Sequence, residues 1–360
     1  MASAIPLVWS DDHRLHDPAA EIWVGVRTPA AEVPERADAI CRAVTAAGAE
    51  VVPAASHDGT ALEAVHDSAL LAFLASAWRD WEAAGLPEDP GQDRVVPYIF
   101  PHPGLMDGLE PFLPAAAWAR PGAFCFDTMT LIGPGTWEAA RAAADVALTA
   151  AELVAGGRRA AYACCRPPGH HATRGAYGGS CYLNNAAIAA QRLRELGAAR
   201  VGIVDVDAHH GNGAQSIFWE RSDVFTGSVH VDPAAGWFPH FLGGAAERGA
   251  GAGAGANVNV PLPPGADDRD WLRGVGELLE TARSHGVEAL VLALGVDAAG
   301  GDPESPLEVT AGGFREAGRL VGRLGAPVVV VQEGGYDLAS IGGLVLATLE
   351  GIEEGGGGHA

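Results

Sequence analysis

Arg200-Val-Gly-Ile-Val-Asp205-Val-Asp207-Ala-His209-His210-Gly-Asn212-Gly213 is the stretch whose reading decides the fold. It begins as a short apolar run, the pattern of a parallel strand buried on both faces. It ends in acids and imidazoles. Side chains alternate along a strand, so the i, i+2, i+4 spacing lets Asp205, Asp207 and His209 share one side. Such a set either binds a metal or forms an ion-pair network. Each buried carboxylate costs several kcal/mol unless it is paired or coordinated. The His-Gly-Asn-Gly continuation is hard to account for by ion pairing alone, and the reading favours a metal.

Outward from this stretch the same pattern repeats. Apolar runs end at Cys165, Val206, His230, Val296 and Val331. Helical periods follow at about Asn184–Leu196, Gly213–Glu220, Asp268–His285, Thr310–Leu324 and Leu338–Glu353. Alternating strands and helices predict an α/β fold, a doubly wound and mostly parallel sheet with helices on both faces. No linker divides it, so residues 1–360 are read as a single domain.

In the N-terminal part, Glu21–Val26 and Glu50–Ala54 read as strands, and Pro34 to about Ala47 as a helix. Ser68–Ala84 carries Leu70, Phe73, Leu74, Trp78 and Trp81 on a helical period and reads as core. Pro134-Gly-Thr-Trp137 opens an Ala-rich helix to about Val154, and Asn257–Leu262 resembles a strand. Residues 85–122 are rich in Pro and Gly and too long for an ordinary connection, which predicts a functional loop or lid. Residues 355–360 read as a flexible tail.

The chain is 48% hydrophobic, enough for a large core, yet no apolar run approaches the roughly 18–20 residues that span a bilayer. Its formal charge of −22 repels nucleic acid and anionic membranes and draws cations. Five unpatterned cysteines and a start without signal-peptide character predict a reducing, cytoplasmic setting.

Ligands of open α/β sheets bind beyond the C-terminal strand ends, and the polar outliers fall there. Ala160–Cys165 runs into Arg166-Pro-Pro-Gly-His170-His171-Ala172. Ala289–Val296 runs into Asp297, and Pro327–Val331 into Gln-Glu333-Gly-Gly-Tyr336. Asp297, closing a strongly apolar run, reads as a third metal ligand beside Asp207 and His209. Three protein ligands leave open positions, as in a catalytic site. The Asp/His/Asp set suits Zn²⁺ and also Fe²⁺, Co²⁺ or Mn²⁺.

Arg166–Ala172, Asp205–Gly213, Gly295–Asp297 and Glu333–Tyr336 together resemble the signature blocks of the histone deacetylase superfamily, in the family order. That superfamily includes bacterial acetylpolyamine amidohydrolases and has an arginase-like α/β fold. Trp9-Ser-Asp-Asp-His13, Gly213–Gly227 and Phe238–Leu242 resemble the acetylpolyamine branch most. The resemblance implies a metal-dependent amidohydrolase with zinc on Asp207, His209 and Asp297. It implies His171 as general base and then acid, His170 as its electrostatic partner, and Asp205 as the residue orienting His170. Asn212 stands where some members have an aspartate supporting His171, which implies a less basic His171. Tyr336 would donate its hydroxyl to the developing oxyanion, with Gly334 and Gly335 allowing close approach. Structural K⁺ is implied beside the zinc, on Asp205, Asp207, His209, Ser228 and Val229, with a second near Phe218, Arg221 and Val224.

The implied substrate is a small acylated cationic amine, an acetylpolyamine first and acetyl-lysine in protein second, with another small acylamide as a third reading. Gly179, Trp237 and Phe238 are candidate walls of a narrow channel, the alternative being that the two aromatics merely pack a loop. Ser180 stands where many lysine deacetylases have an aromatic wall. In acetylpolyamine relatives an inserted loop supplies acids and helps build a dimer; residues 85–122 are the counterpart, with Glu88, Asp89, Asp93, Asp107 and Glu110 as candidate acids. A homodimer is therefore an open expectation. An arginase-type ureohydrolase would need a second acid where Asp297-Ala-Ala-Gly has none, and a scaffold without activity would be expected to have lost Tyr336 or the His pair.

Overall fold

The apolar runs of the second half set the architecture. A computed structural model describes residues 5–357, and its centre is an eight-stranded, all-parallel sheet. The strands in chain order are β1 (Leu7–Trp9), β2 (Glu21–Trp23), β3 (Val26–Thr28), β4 (Val51–Pro53), β5 (Ala160–Ala163), β6 (Val201–Asp205), β7 (Val224–Val231), β8 (Asn257–Leu262), β9 (Ala289–Leu294) and β10 (Val328–Gln332). The sheet order is β4-β1-β5-β10-β9-β6-β7-β8, while β2 and β3 form a separate antiparallel pair.

The helices are α1 (Glu35–Ala46), α2 (Thr60–Glu63), α3 (Ser68–Ala83), α4 (Pro103–Met106), α5 (Thr136–Ala155), α6 (Asn185–Glu195), α7 (Asn212–Phe218), α8 (Asp268–His285), α9 (Ala311–Arg323) and α10 (Ile341–Gly356). They cover both faces. The side-chain alternation of β9 and β10 shows how: Val291, Ala293, Val329 and Val331 enter one core with α3, α5 and α6. Leu290, Leu292, Leu294, Val328 and Val330 enter the other with α1, α8, α9 and α10. The small alanines of α5, buried along most of its length, let that helix lie close to the sheet. Among the described residues no helix is long and apolar enough to cross a membrane.

Three expectations need correction. Glu21–Val26 is no strand of the main sheet; the chain enters the sheet earlier, at Leu7-Val8-Trp9, a run too short to stand out. Glu21 instead opens the β2–β3 ribbon, turned by Gly25 at φ 77°. Residues 355 and 356 are no flexible tail, because α10 continues through Gly356; the remainder of that expectation, residues 358–360, lies outside the described residues. The third correction concerns the opening stretch, whose strand ends at Asp205. Asp207 and His209 lie in the following loop, so strand alternation does not bring them together. Residues 85–122 are mostly irregular, with only α4 and two short 3-10 turns.

Candidate active site

Strands β5, β10, β9 and β6 are consecutive in the sheet, so the loops leaving their C-terminal ends meet at one place. Those loops carry His170 and His171, Tyr336, Asp297, and Asp207 with His209.

Backbone amides aim the acids. Gly334 N–H donates to Asp207 Oδ2 at 2.8 Å, and Ala208 N–H donates to Asp297 Oδ1 at 2.8 Å. The remaining oxygens turn to one imidazole: His209 Nδ1 lies 3.2 Å from Asp207 Oδ1 and 3.1 Å from Asp297 Oδ2. Neighbouring ligands of a tetrahedral ion with bonds of about 2.0–2.1 Å sit ~3.3 Å apart, so this set has the spacing of a divalent metal site. The charge agrees. Two carboxylates with no solvent exposure share a single imidazole. Burial opposes charge on His209, but Asp207 and Asp297 raise its pKa well above the usual value. Burial and the neighbouring Asp207 push Asp297 up to about 7. A cation removes both tensions. Glycines make the cradle, because a Cβ on Gly334 would lie 2.4 Å from Asp297 Oδ2, and one on Gly295 would overlap Asp207. Asp207, His209 and Asp297 could thus hold a metal, and all three offer ligand atoms within 4.8 Å of one another.

The two histidines pack beside this set, their rings tilted by 41° with centroids 4.0 Å apart. Their loop is held by Glu333, whose Oε2 accepts the amides of Gly169 at 2.7 Å and His170 at 3.0 Å. His170 Nδ1 meets Asp205 Oδ2 at 2.9 Å. Burial disfavours a charged His170, yet Asp207 and Asp205 outweigh it and raise its pKa to about 10. His171 Nδ1 lies 2.6 Å from Asn212 Oδ1, and Asn212 Nδ2 donates to the His171 carbonyl. That second bond fixes the amide orientation, so Nδ1 carries the proton and Nε2 is left as the basic nitrogen. Burial, then the positive His170 and His209, hold the His171 pKa well below its usual value. One imidazole stays charged and its neighbour stays neutral.

Tyr336 follows the glycine pair and, with His171 and His209, lines a cleft of about 740 Å³, within the range of small-molecule sites. Arg36 lies over its ring, 4.5 Å from guanidinium carbon to centroid, and donates to the Gly335 carbonyl at 2.5 Å. Burial pushes the phenol's pKa well up, against the opposing Arg36 charge, so the hydroxyl remains a donor. Gly335 takes φ 121°, a conformation other residues rarely adopt.

Gly179, Ser180, Trp237 and Phe238 also line the cleft. A Cβ on Gly179 would sit 2.3 Å from the His171 ring and 2.9 Å from that of Phe238, so only glycine lets that wall close. Phe238 meets His171 edge-on at 4.8 Å and lies nearly parallel to Phe126 at 6.3 Å. Trp237 both packs against the core and lines the cleft, its Nε1 donating to the Glu304 carbonyl at 3.1 Å.

The predicted loop acids are elsewhere. Asp107 and Glu110 are exposed and line no part of the cleft in their own chain; Glu88 and Asp89 are likewise exposed, and Asp93 pairs with Arg27 at 2.8 Å. The acids that do line it are Glu21 and Glu304. No Lys or Arg lines it with them. Burial, with Glu304 and Glu32 adding to it, pushes the Glu21 pKa up to about 7. Sequence reasoning missed both, and also Phe126 and Asp127, whose Oδ2 accepts the Gly179 amide at 2.6 Å. The only available signal for Glu304 was its place seven residues after Asp297.

Of the residues implied for K⁺, Asp205 and Ser228 are register partners on β6 and β7, and Val229 follows in β7. At the second location the Arg221 side chain is engaged by Asp223 and Gln191, and its amide donates to the Phe218 carbonyl at 2.9 Å.

The model of the histone deacetylase domain matches residues 30–352. The chain belongs to the histone deacetylase family. Full-length similarity agrees: it is 42% identical to the acetylpolyamine amidohydrolase of Mycoplana ramosa, over 96% of this chain and 99% of that one. It is 41% identical to acetylpolyamine amidohydrolase 1 of Pseudomonas aeruginosa, over 96% and 98%. The crystal structure of acetylpolyamine aminohydrolase from Burkholderia pseudomallei superimposes with a TM-score of 0.92 at 40% identity, covering 98% of this chain and 99% of the other. As a histone deacetylase family member the chain is a hydrolytic deacetylase, and the family is one of metal-dependent hydrolases.

Proposed function

We propose that this deacetylase uses zinc to hydrolyse N-acetylated polyamines to acetate and the free amine. The observation that carries the substrate class is the pair Glu21 and Glu304 in a cleft that has no Lys or Arg. A distal ammonium there would favour the ionised form of Glu21 and be attracted by both acids. The chain's own net charge of −22 adds long-range attraction for such a cation, and the relatives of similar length carry names that specify acetylpolyamine.

Zinc on Asp207, His209 and Asp297 would supply a Lewis acid for the amide carbonyl and lower the pKa of a nearby water. The chain does the rest. His171 Nε2 takes the water's proton as the oxygen attacks the carbonyl carbon. The Tyr336 hydroxyl donates to the carbonyl oxygen as that atom gains charge. His170, held charged between Asp205 and Asp207, stabilises the same negative charge. His171 then returns its proton to the amine nitrogen as the C–N bond breaks.

Two tests follow. Glu21→Gln with Glu304→Gln should lower kcat/KM on N-acetylputrescine about tenfold and leave N-butylacetamide, its counterpart without the ammonium, within twofold. Equal loss on both substrates would sink the recognition role. Asp297→Ala should remove the metal; undiminished zinc stoichiometry by mass spectrometry would count against that ligand.

Asp205 and Ser228, facing each other beside the metal set, support a structural K⁺ with Asp207, His209 and Val229, and a second K⁺ would rest on the carbonyls near Phe218. The five cysteines, all free, support a reducing, cytoplasmic setting. A homodimer is favoured by Leu105, Leu109 and Phe112, which are 62%, 75% and 86% exposed along residues 105–112. Asp107 and Glu110 share that segment and would reach a cleft only from a second copy. Light scattering should then give twice the chain's 36.9 kDa, and Phe112→Asp should halve it. A wild-type monomer at micromolar concentration would refute the dimer.

A further inference from the structure

We infer that Asp302 is a positioning residue that sets the catalytic phenol and the cleft acid Glu304 from one carboxylate. Asp302 is buried, 7% exposed, and follows the metal-set acid Asp297 by one tight turn, in which the Asp302 amide donates to the Ala299 carbonyl at 3.1 Å. Its two oxygens serve different loops. Oδ2 accepts the amide of Tyr336 at 2.8 Å and that of Asp337 at 3.2 Å. Oδ1 accepts the amide of Glu304 at 3.0 Å. Glu304 is held from its other side by Trp237, through the Nε1 bond to its carbonyl.

The loop bearing Tyr336 needs such an anchor. After Gly335 the backbone has left the sheet, and a buried amide without an acceptor is costly. Arg36 fixes the carbonyl of Gly335, and Val296 N–H binds the carbonyl of Gly334 at 3.1 Å. Asp302 supplies the acceptor for the next amide, that of Tyr336 itself. The same side chain fixes the start of the turn that presents Glu304. The distance between the place where the amide carbonyl is activated and the place where the distal ammonium is received is therefore set through Asp302. Such a link ties substrate length to turnover.

This inference rests on the reading of Glu304 as a cation-recognising acid, and the variants separate the two. Two quantities are measured on purified, metal-loaded enzyme, per bound metal: kcat on N-butylacetamide, and the ratio of kcat/KM for N-acetylputrescine over N-butylacetamide. Glu304→Gln should lower the ratio, and Tyr336→Phe should lower kcat. Asp302→Ala should lower both, kcat by roughly ten- to a hundredfold, the scale on which misplacement by about 1 Å acts, and the ratio at least threefold. Asp302→Asn keeps one acceptor oxygen and turns an NH₂ group toward the other loop, so it should restore one quantity and not the other. Should the alanine variant fail to fold, the asparagine variant carries the test. A general loss of stability would reduce metal-loaded protein and leave both quantities, taken per bound metal, unchanged. Unchanged kcat or an unchanged ratio in Asp302→Ala overturns the shared anchor, as does Asp302→Asn restoring both or neither. An unchanged ratio in Glu304→Gln overturns the reading of Glu304, while the kcat arm still tests the hold on Tyr336.

Discussion

His171→Ala should cut kcat by 10²- to 10⁴-fold, the range spanned by a positioned proton-transfer group, with the metal content unchanged. The expectation follows from tautomer and charge. Asn212 holds the proton on Nδ1, and burial together with the charged His170 nearby keeps the ring neutral. Nε2 is thus unprotonated at neutral pH, as a base must be. His170 cannot take over, because its Nδ1 is committed to Asp205 and its pKa is raised to about 10. Single-turnover acetate release from acetylputrescine reads the effect. A loss under fivefold on a fully metal-loaded sample would assign the proton transfer to another group.

Tyr336→Phe removes one hydroxyl and little else. The ring remains under Arg36, and the loop remains tied by Asp302 and Arg36, since both hold its backbone. Removing a single donor to a developing oxyanion costs about 2.7–4 kcal/mol, roughly 10²–10³ in kcat. KM should move much less, because the bond strengthens as the carbonyl oxygen gains charge. A KM effect as large as the kcat effect would show instead that the phenol binds the ground state.

Much of the second half of the chain could be read from residues alone. Helix α8 was placed at Asp268–His285 and is found there, because Asp267 caps its first turn by accepting the amides of Arg269 and Asp270, and Gly286 ends it at φ 76°. The strands feeding the site were legible as unbroken apolar runs. Strand β1 was not, since Leu7-Val8-Trp9 owes its place to parallel neighbours on both sides and not to a run of its own. The chemistry-bearing histidines, acids and Tyr336 stood out because polar groups at the ends of buried strands are costly without a purpose. Glu21, Glu304 and Asp302 did not. None of the three is marked by its sequence neighbours, and the meaning of each comes from what folds against it: a cleft for the first two, and three backbone amides for the third. Residues 85–122 have the most unusual composition, yet within one chain none of them lines the cleft.

The central claim is that a metal set, a neutral imidazole and a phenol face one carbonyl in a cleft that selects a cationic acyl amine. The most direct measurement is kcat/KM of the zinc-loaded enzyme on acetylputrescine, acetylspermidine and an acetyl-lysine peptide compared side by side. Stoichiometric acetate is expected from all that turn over, with an advantage of at least tenfold for the free acetylpolyamines. Equal or better turnover of the peptide would contradict the assigned substrate, and no acetate from any of the three would contradict the site itself.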